Sequence, residues 1–97
     1  MEPGIPDISI SDVVISTAGR DQGQLFYCIG TDNQYVLLAD GKGRTLDKPK
    51  RKKRKHVQKV LRAETRVADK IRNGDKVLNS ELRRDLAFLI REVQSMT

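Results

Sequence analysis

Eight lysines and arginines fall within the twelve positions 48–59 of the stretch DKPKRKKRKHVQKV (residues 47–60), with no acid among them. Cations at that density do one kind of chemistry: they neutralise a polyanion, each ammonium or guanidinium meeting a phosphate or carboxylate oxygen. The chain has 19 Lys and Arg against 13 Asp and Glu, and a net charge of +6. With 48–59 set aside, the remainder holds 11 bases and 13 acids, so the positive charge is focused in one segment. The plain reading of such a run is a solvated stretch without a partner. Its place in mid-chain, directly before a strand-like alternation, favours a basic element built into a fold.

Other chemistry is thinly supplied. His56 and Cys28 are each alone of their type. His56 can touch a polyanion but has no catalytic partner in evidence. No nucleophile–base set and no metal-ligand spacing occurs, so we expect no catalytic residue, no metal, no cofactor and no enzyme activity. A single cysteine permits no intramolecular disulfide, and its place in a strand-like run suggests a small buried thiol. The N-terminal MEPGIPDISI lacks the charged start and apolar core of a signal peptide. No stretch reaches the roughly 18 apolar residues of a membrane span. The expectation is a soluble cytoplasmic protein with no membrane partner.

The elements that must position these cations come next. A chain of 97 residues with 37% hydrophobic content suggests one small domain with a modest core. Residues 1–9, with Pro3, Gly4 and Pro6, read as an irregular lead-in. Residues 10–61 carry short β-branched and aromatic runs: Val13–Ile15, Leu25–Ile29 and Tyr35–Leu38. Gly19–Gly23, Gly30–Asn33 and Asp40–Gly43 punctuate them. Arg44–Asp47 is a short fourth strand candidate and His56–Leu61 a fifth. The spacing predicts a mainly β meander closed into a small barrel of about five strands. The first three runs are apolar on both faces, which a lone barrel does not tolerate, so something must cover one face.

Residues 62–97 change period and supply that cover. Leu61, Ala68 and Ile71 share a helical spacing, with Gly74 as the stop. Asn79–Ser80 is a candidate N-cap, with Glu81 in the first turn. Leu82, Leu86, Leu89, Ile90 and Val93 form one apolar stripe. The stripe either packs on the barrel, which is the expectation, or docks a partner. Phe88 lies off it.

The stretch ISISDVVISTAGRDQGQLFYCIG (residues 8–30) resembles the KOW motif of several ribosomal proteins and NusG-type elongation factors. Asp12, Val14, Gly19, Gly23 and Ile29 stand in its characteristic positions. Ser11 stands where the family often has glycine, and Ser16 where it is usually apolar. Together with YVLLADG and KPKRKKRKH, residues 10–61 resemble bacterial KOW-domain RNA-binding proteins, related to an archaeal and eukaryotic large-subunit ribosomal protein family. The resemblance implies an SH3-like barrel that binds RNA, ribosomal RNA foremost, with ribosomal proteins as a further class of partner.

On that footing the expected interface is a basic loop between a fourth and a fifth strand. It comprises Lys48, Lys50, Arg51, Lys52, Lys53, Arg54, Lys55, His56 and Lys59. The loop Gly19–Gly23 adds Gly19, Arg20 and Gly23, with backbone amides free for phosphate and Arg20 as a bidentate grip. Asp21 either orients Arg20 or is a solvated turn carboxylate. Phe26, Tyr27 and Tyr35 are expected in strand or core packing rather than in base stacking. Neutralising about five phosphates would give a log K against log salt slope of roughly −3.5 to −4.5. The alternative is a protein–protein adaptor of the transcription or translation machinery. An import signal and a polybasic membrane contact are weaker, because the run abuts a strand and no lipid anchor accompanies it. Oligomeric state is open.

Overall fold

The run Val13–Val14–Ile15 forms β1 (Asp12–Ser16), and the two apolar runs after it form β2 (Leu25–Thr31) and β3 (Tyr35–Ala39). They pair in turn as an antiparallel meander. The structure is a computed structural model that describes residues 7–95. Residues 1–6 of the expected lead-in lie outside them. Ile8, within that lead-in, is buried in the sheet interior.

The fourth strand is not Arg44–Asp47. β4 is Lys50–Lys53, drawn from the basic run itself, and it pairs antiparallel with β3. The reason lies in residues 40–48. Asp40 Oδ1 accepts the amides of Lys42 and Arg44, both at 2.9 Å. Lys48 N donates to Thr45 O at 3.1 Å. Leu46 N donates to Asn79 Oδ1 at 2.8 Å. Backbone groups spent on turns and on a distant side chain cannot join a ladder. A short 3₁₀ turn, Arg54–His56, then leads into β5 (Val57–Arg62), which returns to pair with β1. The sheet order is β4-β3-β2-β1-β5, a small mixed β/α fold consistent with an SH3-like barrel plus helix.

Two apolar layers follow from the strand period of two. Val14, Phe26, Cys28, Val36, Leu38 and Val57 fill the interior with Ile8. Val57 of β5 shares that cluster with residues of β3, from which two strands separate it in the sheet, so the sheet is curled around it. Burial pushes the Cys28 thiol up to about 11, and the thiol is inert packing at neutral pH. The other face of the sheet contributes Val13, Tyr27 and Ala39 to a second cluster. This is the layer that the two-faced apolar strands demanded.

Helices α1 (Arg66–Asn73) and α2 (Asn79–Ser95) cover it. Thr65 caps α1, its side chain accepting from Ala68 N, and Gly74 closes it at φ +76°. Leu82, Leu86 and Leu89 of the predicted stripe are buried against Val13, Tyr27, Ala39, Ala63 and Ala68. Each such leucine contributes about 2 kcal/mol. A polar staple fastens the layers: Asp85 of α2 accepts from the Tyr27 hydroxyl of β2, and from Thr65 Oγ1 at 2.8 Å. Burial and the Asp85 carboxylate raise the Tyr27 phenol well above its ordinary range, so it stays a donor.

Asn79 is not the N-cap of α2. It is the first helical residue, with its side chain spent on Leu46 N, and Glu81 Oε1 instead accepts from Leu78 N at 3.0 Å. The turn before Leu46 presses closely on this helix end. Gly41, at φ +79°, sits where a Cβ would overlap the Asn79 carbonyl. Ser11 also takes a left-handed φ, +76°, the conformation in which glycine is at home. Its hydroxyl is held by Arg72 Nη1 at 2.7 Å.

Candidate nucleic-acid interface

The basic run is an edge strand, and the pleat sorts its cations. Val36 stands opposite Lys52, and Leu38 opposite Lys50. Both lysines therefore share the interior face. Tyr35 stands opposite Lys53 and Leu37 opposite Arg51, which puts Arg51 and Lys53 on the outer face.

The inward pair is consumed by the fold. Lys52 is 8% exposed, with Nζ 2.6 Å from Asp21 Oδ1 and 2.7 Å from the Ala18 carbonyl. Lys50 Nζ lies 3.2 Å from Asp21 Oδ2. Ser16 is buried too, and its hydroxyl sits 2.7 Å from Asp21 Oδ1. A polar residue at position 16, departing from the KOW pattern, thus has a use. Burial works against the ionised Asp21 carboxyl. The hydrogen bonds from Lys52, Ser16 and Lys50 outweigh that and hold it well below the usual carboxylate range. Asp21 therefore does not orient Arg20, and it is not a solvated turn residue.

The same cluster answers how the two predicted segments lie. Asp21 belongs to the 19–23 loop, and its ion pairs clamp that loop to β4. Gly19 and Gly23 adopt φ of +88° and +92°, as their spacing implied. The amides of the loop's second half are not free for phosphate, however. Gly23 N donates to Ser16 O at 2.8 Å, Gln22 N to Gly19 O at 3.2 Å, and Gln24 N to Asp21 O at 2.9 Å. Gly23 shapes the loop, and the exposed Arg20 is what the loop presents.

Other predicted contacts divide similarly. Arg54 turns back on the protein, with Nε 2.9 Å from the Asp32 carbonyl and Nη1 3.2 Å from the Ile8 carbonyl. Lys59 Nζ lies 3.5 Å from the buried Asp12 carboxylate. His56 is half-buried and accepts Thr17 N on its carbonyl at 2.9 Å. Lys48, Arg51, Lys53 and Lys55 are exposed. Among the described residues, none of these four has a carboxylate within ion-pair distance. The Arg51 guanidinium lies over Tyr35, its central carbon 3.6 Å from the ring centroid. Phe26 and Tyr27 are fully buried, as expected of strand packing.

Two cation-lined concavities flank β4. One, of about 450 Å³, lies at its start between the 19–23 and 40–44 loops, where Arg20, Lys42, Arg44 and Lys50 meet Asp21 and Asp40. The other, of about 230 Å³, lies at its end among Gln34, Lys53, Arg54 and Lys55. Lys42 and Arg44 were not singled out from sequence. The signal was present, since two cations stand in the tight turn DGKGR, but nothing local shows that this turn faces β4. No helix among the described residues is long and apolar enough to cross a membrane. No protein-family model matches the chain, and no curated protein matches it.

Proposed function

We propose that this chain is an RNA-binding module of the KOW kind that associates with ribosomes and holds the RNA phosphate backbone along β4. The observation that carries the reading is the split of the basic strand. Arg51 and Lys53 stand outward beside Lys48 and Lys55, while neighbouring lysines are neutralised internally. A fold that needed these cations only for its own stability would have given them acids. The cation-lined concavities at both ends of β4 extend the track, with Arg20, Lys42 and Arg44 at one end and Lys55 at the other. The sheet order and the resemblance over residues 10–61 point the same way.

The outward cations are borne on a paired strand and a short turn. Little backbone entropy is lost when they engage a ligand. Lysines contact phosphate as point charges, which positions the protein without specifying sequence, so recognition rests on RNA shape. Because Lys50 and Lys52 are already partnered, the number of phosphates neutralised falls to about four, and the log K against log salt slope to about −3 to −3.5.

Co-sedimentation with ribosomes over a salt series tests this. The expected result is a pelleted fraction that declines with that slope. A protein that stays in the supernatant at the lowest salt contradicts it. Pelleting indifferent to salt would favour docking on a protein component instead.

A further inference from the structure

We infer that the outer face of the β3–β4 pair holds a subsite for one unpaired nucleobase, stacked on the Arg51 guanidinium with its polar edge toward Asp32. The inference rests on the RNA reading above and adds a base to what would otherwise be a phosphate grip.

Strand alternation puts Tyr35 and Leu37 of β3 beside Arg51 and Lys53 of β4 on the outer face. The helices cover that face only at the end marked by Tyr27 and Ala39, so this half stays open. Arg51 lies over the Tyr35 ring at 3.6 Å, and Arg51 itself is exposed. One side of the guanidinium plane is therefore set against the ring and the other is available. A guanidinium that grips phosphate works through its N–H edge; a plane held over an aromatic ring is the surface on which bases stack. Its rotamer is already restrained, so stacking costs little further entropy.

A hollow of about 160 Å³ adjoins this stack, lined by Thr31, Asp32, Tyr35, Leu37 and Arg51. Leu37 is 37% exposed, an apolar side chain next to Tyr35, Arg51 and Lys53 on this face. Asp32 Oδ1 accepts from Gln34 N at 3.0 Å and Tyr35 N at 2.7 Å. Those two hydrogen bonds hold its carboxyl below the usual range, so it stays anionic. A carboxylate repels a phosphate lodged in the hollow and accepts from the amino or imino N–H of a base. Cation plane, apolar wall and acceptor together fit a flat heterocycle with donors on its edge. Lys53, next along β4 on the same face, is placed for the adjoining phosphate.

The test compares a short unpaired oligoribonucleotide with inorganic polyphosphate, which carries the charge without bases. Both are titrated against the wild-type protein and Arg51→Lys, which keeps the charge and removes the plane. The expected result is an RNA affinity about tenfold weaker in the variant, from lost stacking, with a much smaller loss for polyphosphate, because the charge at position 51 is kept. A urea midpoint close to that of the wild type reports an intact fold. Equal losses for both ligands, or no loss for RNA, overturn the base subsite and leave the phosphate grip standing. A wild-type protein that binds polyphosphate but discriminates against RNA, or binds neither, overturns the RNA reading and the subsite with it.

Discussion

The two faces of β4 put the same kind of residue to opposite uses. On the inner face, Lys50 and Lys52 converge on Asp21 and lock the 19–23 loop to the sheet. On the outer face, Arg51 and Lys53 form no ion pair with a carboxylate among the described residues, and Arg51 lies over Tyr35. Four consecutive basic residues, KRKK, are thus two structural lysines and two outward-facing cations. A charge run summed as a block overstates what a partner can meet. The strand period divides it, and the acid that decides which half is consumed lies some thirty residues upstream.

The inner face should give the largest effect. Asp21→Asn leaves Lys52 buried without its counter-charge, and breaking a buried pair in this way costs about 3 kcal/mol. Urea denaturation should show it. Replacing Lys52 by Met in the same protein should return part of the loss, because the stranded charge is gone. A double variant no more stable than Asp21→Asn alone would mean that the pair matters only for loop shape.

A smaller effect follows with pH. The folded Asp21 carboxyl binds its proton less readily than the unfolded chain, in which an aspartate titrates near pH 4. Its stabilisation is therefore complete above that pH. It is lost as pH falls toward the depressed folded value, because the unfolded state takes up the proton first. Comparing urea midpoints at about pH 5 and about pH 3 should show a steeper decline in the wild type than in Asp21→Asn. Parallel declines would mean that Asp21 is not held low. The outer face should show no such cost. Gln at Arg51, Lys53 or Lys55 should change stability by no more than about 0.5 kcal/mol.

The division between what the chain announced and what it concealed follows the same physics. β1, β2 and β3, the helical stripe and the Gly74 stop were readable, because apolar period and glycine punctuation act locally. The need for a cover was readable as well, since Val13 and Val14 cannot both face one interior. β4 was hidden because KRKK has no apolar alternation. It holds its place by pairing with Val36 and Leu38 and through an acid in a different loop. Asn79 looked like a cap and became an acceptor for Leu46, a contact 33 positions away. Arg20 was readable as an outward side chain of a polar, glycine-bounded loop, whereas Lys53 and Lys55 were expected outward only as members of the run. Lys52 could not be told apart from them without knowing the register.

The most direct measurement is the salt slope of RNA binding in two variants compared with the wild type. Removing the outward charges together, Arg51→Gln with Lys53→Gln, should flatten the slope by about 1.5 to 2. Removing the inward charge alone, Lys52→Met, should leave the slope as it was. A slope that flattens with Lys52→Met, or one that ignores the outward pair, would contradict the division of β4 into a structural face and a binding face.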